Sequence, residues 1–311
     1  MTDVLRTDTG RSGVPTGFAD HHDLPSTPGE RVGFFTDTSV CIGCKACEVA
    51  CKEWNDLESL VGELTGESYD NTSALSATTW RHVSFVEQSR TRPATAAVID
   101  TGDPVAPADV ELPAALTGSA GASGLVWLMS SDVCKHCTEA ACLEVCPTGS
   151  LFRTEFDTVV VQPDICNGCG YCVPACPFGV IGRDESSGQA AKCTLCYDRL
   201  KGDQTPACAL ACPTDSIQFG PLHEMRRRAT ERLGALHAAG DDLARLYGED
   251  PNDGVGGTGA VFLLRDEPEV YGLPPAPVTA TRHLPEMWRT AGVAAVALIG
   301  GIGAILFGGR R

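Results

Sequence analysis

Cys166-Asn-Gly-Cys169-Gly-Tyr-Cys172-Val-Pro-Ala-Cys176-Pro177 decides how the rest of the chain is read. Its spacing is C-x2-C-x2-C-x3-C-P, that of runs which ligate [4Fe–4S] clusters. Three cysteines at two-residue gaps wrap one cubane, and the fourth lies too far along to join them. In two-cluster proteins that fourth cysteine reaches the other cluster, so one run implies a partner run. Outward from it lie three more tetrads: Cys134, Cys137, Cys142, Cys146; Cys193, Cys196, Cys208, Cys212; and Cys41, Cys44, Cys47, Cys51. All sixteen cysteines are then used.

Two other chemistries compete for so many thiols. Eight disulfides would suit a secreted chain, but close C-x2-C repeats make neighbouring thiols compete for partners. Zinc ribbons set two C-x2-C pairs about 15–20 residues apart, which fits Cys193–Cys212 loosely and the first and third tetrads badly. Iron–sulfur ligation is favoured over both. No tetrad continues as C-x2-C-H, so covalent haem is not indicated. A chain of 311 residues has room for a sizeable core, yet its aromatic content is only 6%, so metal ligation is expected to supply part of its stability. The formal charge of −16 argues against nucleic acid as a partner.

Tetrads two and three lie close enough to pair, with strand-like Thr158–Gln162 between them and the apolar run Leu125–Met129 before them. Residues 125–182 are therefore expected to form a compact α+β ferredoxin-like unit with two clusters. Tetrad four follows at once, closed by a strand at Ser216–Phe219, and its remaining partner is tetrad one. One ferredoxin-like 2x[4Fe–4S] domain, split over 34–92 and 183–221, is thus nested around another. Trp80–Glu87 alternates as a strand does. Residues 93–124, rich in Ala, Pro, Gly, Thr and Asp, read as an exposed insertion. Residues 1–33 read as an arm; the first 30 contain no apolar h-region, so no signal peptide is expected there.

Residues 222–288 read as a helix, a Gly-rich turn and an extended linker. Leu222, Met225, Ala229, Leu233 and Leu236 recur at helical steps, and the helix is expected to run to residue 247 with Arg226, Arg227 and Arg228 on its solvated face. Gly254–Gly259 spells G-x-G-x-x-G, but it precedes the strand-like Ala260–Leu264 and opens no helix, so a turn is expected and not a dinucleotide site. Thr290–Gly309 contains no charge; with Arg289 before it and Arg310 and Arg311 after it, residues 289–311 read as a membrane span. Its six glycines permit close packing against another helix, and it has no histidine to ligate a haem.

A cluster with four thiolates has no open iron site and suits conduction, not substrate binding. No acid–base constellation appears elsewhere, so no catalytic residue and no small-molecule substrate of its own are expected. The seven histidines are scattered; His136, between Cys134 and Cys137, either hydrogen-bonds sulfur or only packs. The chain has five lysines, Lys45, Lys52, Lys135, Lys192 and Lys201, all in or beside the tetrads. Either they raise cluster potentials by stabilising added negative charge, or they are surface lysines clustered by chance or by descent from a common module.

The first tetrad with Glu53-Trp-Asn-Asp56, the order of the four tetrads, Gly254-Val-Gly-Gly-Thr258, Tyr271-Gly-Leu-Pro274 and a C-terminal span closely resemble the iron–sulfur (beta) subunits of membrane-bound respiratory formate dehydrogenases. The tetrads alone are shared with other electron-transfer subunits of the molybdopterin oxidoreductase superfamily. A ferredoxin subunit of a membrane hydrogenase, or of a sulfur-compound or DMSO-type reductase, is the alternative.

The resemblance implies four [4Fe–4S] clusters, relaying electrons from a molybdopterin-containing catalytic alpha subunit to a membrane cytochrome b gamma subunit and quinone. It implies ligand sets Cys41, Cys44, Cys47, Cys212; Cys134, Cys137, Cys142, Cys176; Cys166, Cys169, Cys172, Cys146; and Cys193, Cys196, Cys208, Cys51. It also implies a single-pass protein of the cytoplasmic membrane whose soluble part faces outward, exported folded with a signal-bearing alpha subunit. The insertion at 93–124 is longer than the family pattern.

Overall fold

The computed structural model describes residues 29–58, 70, 72–91 and 123–308. In chain order these form β1 (Val32–Asp37), α1 (Ala46–Trp54), β2 (Arg81–Thr91), β3 (Ser123–Val133), α2 (Ala141–Glu144), β4 (Leu151–Arg153) and β5 (Val159–Val161). Then come α3 (Cys172–Ala175), β6 (Gly182–Arg183), β7 (Ala190–Ala191), α4 (Tyr197–Lys201), α5 (Ala207–Leu210) and β8 (Ile217–Pro221). The last are α6 (Leu222–Ala238), β9 (Arg245–Tyr247), β10 (Ala260–Leu264) and α7 (Leu284–Gly308).

Three distant parts of the chain share one four-stranded sheet, ordered β8-β1-β10-β9. β1 pairs antiparallel with β8, Phe34 opposite Phe219, and parallel with β10, Phe34 opposite Ala260. β1, β8 and β10 are buried at every residue. That explains the unbroken apolar run Ala260–Leu264, because a strand covered on both faces need not alternate. Side chains still divide by face. Phe34, Phe219 and Phe262 join the core that contains Cys47, Cys134, Cys193 and Cys208. Phe35, Val261 and Leu263 lie beneath Leu222, Met225 and Ala229 of α6. Each fully buried phenylalanine contributes about 2 kcal/mol of transfer free energy. At Gly33 a Cβ would stand 2.3 Å from the Gly259 carbonyl oxygen, so only glycine lets β1 approach this closely.

The sheet changes three expectations. Val32 and Gly33, read as the end of an arm, begin β1; residues 1–28 lie outside the described residues. The segment read as a linker after the helix supplies β9 and β10, the latter in the middle of the sheet. The helix itself stops at Ala238 rather than 247, because Gly240 is left-handed (φ +87°) and the Gly240 and Asp241 amides bond back to His237 and Leu236. Leu246 belongs to β9 instead. Of the three arginines only Arg227 is exposed; Arg228 is half-buried against Glu224 and Gln218, and the Arg226 Nε is buried. The Gly-rich segment does form a turn into β10, with Gly256 and Gly257 at positive φ.

β2 and β3 form a long antiparallel ribbon in which Arg81 pairs with Val133 and Thr91 with Ser123. Ser123 and Gly124, read as insertion, already belong to β3, and 92–122 lie outside the described residues. Two similar helix pairings are formed, α1 with α5 and α2 with α3, and α1 also packs on β2. The hairpin β4–β5 accompanies the second pairing, and β6–β7 form another short antiparallel pair. Among the described residues one helix is long and apolar enough to span a bilayer, Leu284–Ile305, and none of its apolar window is buried within the protein. At 1.5 Å per residue the 25 residues of α7 reach about 37 Å, enough for a hydrocarbon core of about 30 Å.

Candidate metal centres

The first C-x2-C loop of each tetrad turns in the same way. The residue just before the second cysteine is left-handed in each: Gly43 (φ +64°), His136 (+44°), Gly168 (+71°) and Leu195 (+58°). Such a turn points successive backbone N–H groups into one concavity, which suits an anionic centre. Glycine meets this demand without strain at two of the loops, whereas His136 and Leu195 are held there by complete burial. At Gly43 a Cβ would also meet the Phe85 ring at 2.6 Å and the Met129 sulfur at 2.7 Å.

These loops close three cavities, each lined by four cysteines drawn from two tetrads. Cys41, Cys44 and Cys47 share one with Cys212. Cys134, Cys137 and Cys142 share another with Cys176. Cys166, Cys169 and Cys172 share the third with Cys146. The remaining thiols, Cys51, Cys193, Cys196 and Cys208, are all buried, and the nearby charges acting on Cys51 are those of Cys193, Cys208 and Cys196 together with Arg81. Packing of α1 on α5 brings Cys51 to Cys208.

The electrostatics show what such a grouping needs. Burial pushes the Cys47 and Cys142 thiols up to about 12, and Cys172 and Cys196 up to about 11. Cys51 and Cys193 are raised too, by burial first and then by neighbouring thiolates. A positively charged iron core relieves both causes, and its binding would release the thiol protons. Cys146 behaves differently. Against a desolvation effect that raises it, hydrogen bonds from Ser150 (3.4 Å), the Leu151 amide and Thr148 (3.6 Å) bring it down to about 6. Backbone amides also point at sulfur: Leu195 N–H to Cys193 at 3.3 Å and Ala190 N–H to Cys166 at 3.4 Å. Among the described residues no three ligand-type side chains converge on the position of one metal ion. In three of the groups four thiols line a cavity, and this donor set fits [4Fe–4S] ligation.

The four groups stand in sequence. Cys47 of the first group and Cys208 of the buried group are joined through Ser131 and Arg81. Cys193 of the buried group feels Cys134 of the second cavity. Cys142 of that cavity feels Cys172 of the third.

The lysines separate into distinct environments. Lys192 is 2% exposed, lines the second cavity, and donates to the carbonyls of Val159 and Cys193 (3.0 Å for the latter). Desolvation lowers its pKa, but Cys134, Cys142 and Cys193 overcome this and raise it. Lys135 is fully buried, paired with Asp132, and 4.7 Å from the centre of the Phe262 ring. Lys45 lines the first cavity but is paired with Glu48 and Asp70. Lys52 is occupied by the carbonyls of Thr78 (3.0 Å) and Glu58 (3.1 Å). Lys201 is exposed and lies over the Tyr197 ring at 4.7 Å. His136 lines the second cavity, and its Nδ1 accepts the Val159 N–H at 3.1 Å. The proton is therefore on Nε2, a buried donor without a protein partner among the described residues.

Sequence reasoning missed Arg81. It is 1% exposed, donates to the Ser131 carbonyl and hydroxyl (both 3.2 Å) and to Cys208 Sγ (3.3 Å), and covers the Phe34 ring at 4.8 Å. Desolvation lowers its pKa, and Cys208, Cys47, Cys193 and Cys51 more than reverse the effect. The available signal was register: Arg81 shares the inward face of β2 with Val83, where a charge must have a partner.

Loops of this kind, closing cavities with four thiols each, define an iron–sulfur protein. Residues 40–150 and 125–222 each match the family described as 4Fe-4S dicluster domain. The chain is 36% identical over 265 residues to the nitrate-inducible formate dehydrogenase iron-sulfur subunit of Escherichia coli, covering 84% of this chain and 78% of that one. It is 38% identical to the formate dehydrogenase-O iron-sulfur subunit of the same organism, over 80% of this chain and 72% of that one. The B subunit of the anaerobic dimethyl sulfoxide reductase of Escherichia coli is 31% identical over 64% of this chain and 77% of its own length. The chain belongs to the family of formate dehydrogenase iron–sulfur subunits.

Proposed function

We propose that this chain relays electrons through four [4Fe–4S] clusters, from a formate-oxidising molybdopterin subunit to a membrane cytochrome b. The observation that carries the reading is the unbroken succession of four cysteine groups. Their ligand sets would be Cys41, Cys44, Cys47, Cys212; Cys51, Cys193, Cys196, Cys208; Cys134, Cys137, Cys142, Cys176; and Cys146, Cys166, Cys169, Cys172. When bound, each cluster takes up or gives up one electron without an open iron site. The chain's own residues hold the thiolates, donate N–H groups to sulfur and exclude water by burial. In this reading one dicluster unit, 125–182, is nested within another formed from 34–92 and 183–221.

The two ends of the succession differ. Cys44 and Cys169 are exposed, and each has exposed apolar groups close by in the chain, Ile42 and Val49 for Cys44, Ile165 and Tyr171 for Cys169. The approach to α7 is fastened to the second unit: Thr279 donates to the Glu139 carbonyl at 3.1 Å, and Thr281 to the Glu144 carboxylate beside Cys146. That supports the third cavity as the membrane end, facing the cytochrome, and the first as the end facing the catalytic subunit. Arg310 and Arg311 after the span favour a cytoplasmic end for α7, which would set the soluble part outside. The match to formate dehydrogenase subunits covers more of the chain than the match to the dimethyl sulfoxide reductase subunit, which favours formate.

Four cubanes require about sixteen iron and about sixteen acid-labile sulfide per chain. In the complex, formate should reduce these centres as followed by EPR; the isolated chain should show the same centres after dithionite but no response to formate. Zinc in place of iron, or formate turnover by the isolated chain, would overturn the relay. Truncation after Arg282 removes α7 and no cysteine. The truncated chain should leave the membrane fraction with its iron intact, and retention at the membrane would show that α7 is not the anchor.

A further inference from the structure

The strongest unassigned feature is the buried connection between two cysteine groups at the base of the β2–β3 ribbon. Cys47 Sγ lies 3.2 Å from the Ser131 hydroxyl, which accepts from the Arg81 guanidinium at 3.2 Å. The same guanidinium donates to Cys208 Sγ at 3.3 Å. Accepting from Arg81 leaves the Ser131 hydroxyl proton free to be donated to Cys47. Cys47 and Cys208 belong to different groups, so one arginine reaches ligands of two proposed centres.

The placement is built, not incidental. Arg81, Val83, Ser131 and Val133 share one face of the paired strands, and each is at most 1% exposed. The Phe34 ring closes the other side of the guanidinium. Among the described residues no carboxylate pairs with Arg81, whose counter-charges are sulfur. A cation that is buried, desolvated and offset only by thiolates has its charge committed to them.

We propose that Arg81, with Ser131 as its extension, is a positioning residue shared by the two centres of the split unit, which sets both their potentials together. The inference rests on the four-cluster reading. The guanidinium stabilises the extra negative charge on whichever neighbour is reduced, so an electron on one centre meets the same cation as an electron on the other. Lysine would not replace it, since one ammonium cannot direct separate donors at Cys208 and Ser131 as the planar fork does.

The test is potentiometric EPR on the full chain in its complex, beginning with wild type, where absence of the four signals would refute the four-cluster reading itself. Arg81→Gln should lower the potentials of two of the four centres, with a change of at least tenfold in the oxidised-to-reduced ratio, about 59 mV for one electron. The other two centres should not move. Arg81→Lys should restore one of the two more than the other, because it keeps charge but not the fork. Ser131→Ala leaves Arg81 in place and should shift mainly the centre held by Cys47. If Arg81→Gln fails to assemble, Ser131→Ala and Arg81→Lys still decide the matter. Unchanged potentials in both, or equal shifts at all four centres, would overturn the shared role.

Discussion

Cys146→Ser should abolish the centre at Cys166, Cys169 and Cys172 while sparing the one at Cys134, Cys137 and Cys142, the cysteines nearest to it in sequence. The expectation follows from the cavities. Cys146 lines the one with Cys166, Cys169 and Cys172, and Cys176 lines the one with Cys134, Cys137 and Cys142. Chemistry adds to the geometry. Hydrogen bonds from Ser150, Leu151 and Thr148 bring the Cys146 thiol down to about 6, so it is ready as a thiolate at neutral pH. Serine offers a hard, high-pKa oxygen to iron, a poor exchange for a prepared thiolate. The variant should lose about four iron per chain, or retain a three-iron remnant, with one EPR signal missing. Loss confined to the Cys134 group would show that the fourth ligands are not exchanged.

Among the five lysines, Lys192→Met should produce the largest potential shift. The ammonium is buried between Cys134 and Cys142 on one side and Cys193 on the other, so two neighbouring centres would share it. Methionine keeps much of the stem and removes the charge. Adding an electron beside a buried cation is favoured by about 2 kcal/mol at a moderate effective dielectric, so both potentials should fall by roughly 90 mV. Lys45→Met provides the control. Glu48 and Asp70 already neutralise that ammonium, so the shift should be at most about 20 mV and should shrink further in salt. Equal effects of the two substitutions would show that burial between the centres is not what matters.

Cysteine spacing made the centres legible because a cubane demands three thiols at two-residue gaps, a constraint written locally. The strands expected at Thr158–Gln162 and Ser216–Phe219, found at Val159–Val161 and Ile217–Pro221, were legible for a similar reason: each is short and lies beside a tetrad. β1 was not, since Val-Gly-Phe-Phe-Thr-Asp is too short to show a period and its partners lie far along the chain. β10 was visible as a strand, but its place at the centre of the sheet depends on parallel pairing with β1, which no local pattern records. Lysine was singled out by its rarity, and that criterion passed over Arg81, one arginine among nineteen. Burial distinguishes Lys192 from Lys201, and the residues around each lysine do not disclose it.

The pairing of β1 has a consequence for synthesis. Phe34 leaves the ribosome early, yet its neighbours Phe219 and Ala260 lie about 185 and 226 residues behind it. At roughly 5–20 residues per second that delay is on the order of 10–40 seconds. Throughout it an apolar strand has two open edges, a state prone to pairing with the wrong chain. The ribbon and the pairs β4–β5 and β6–β7, by contrast, are complete once residue 191 has been made. These parts can therefore form while the four-stranded sheet is still incomplete. The last strand to arrive, Ala260–Leu264, is followed within about twenty residues by the start of α7, so closure of the sheet and emergence of the long apolar helix come almost together.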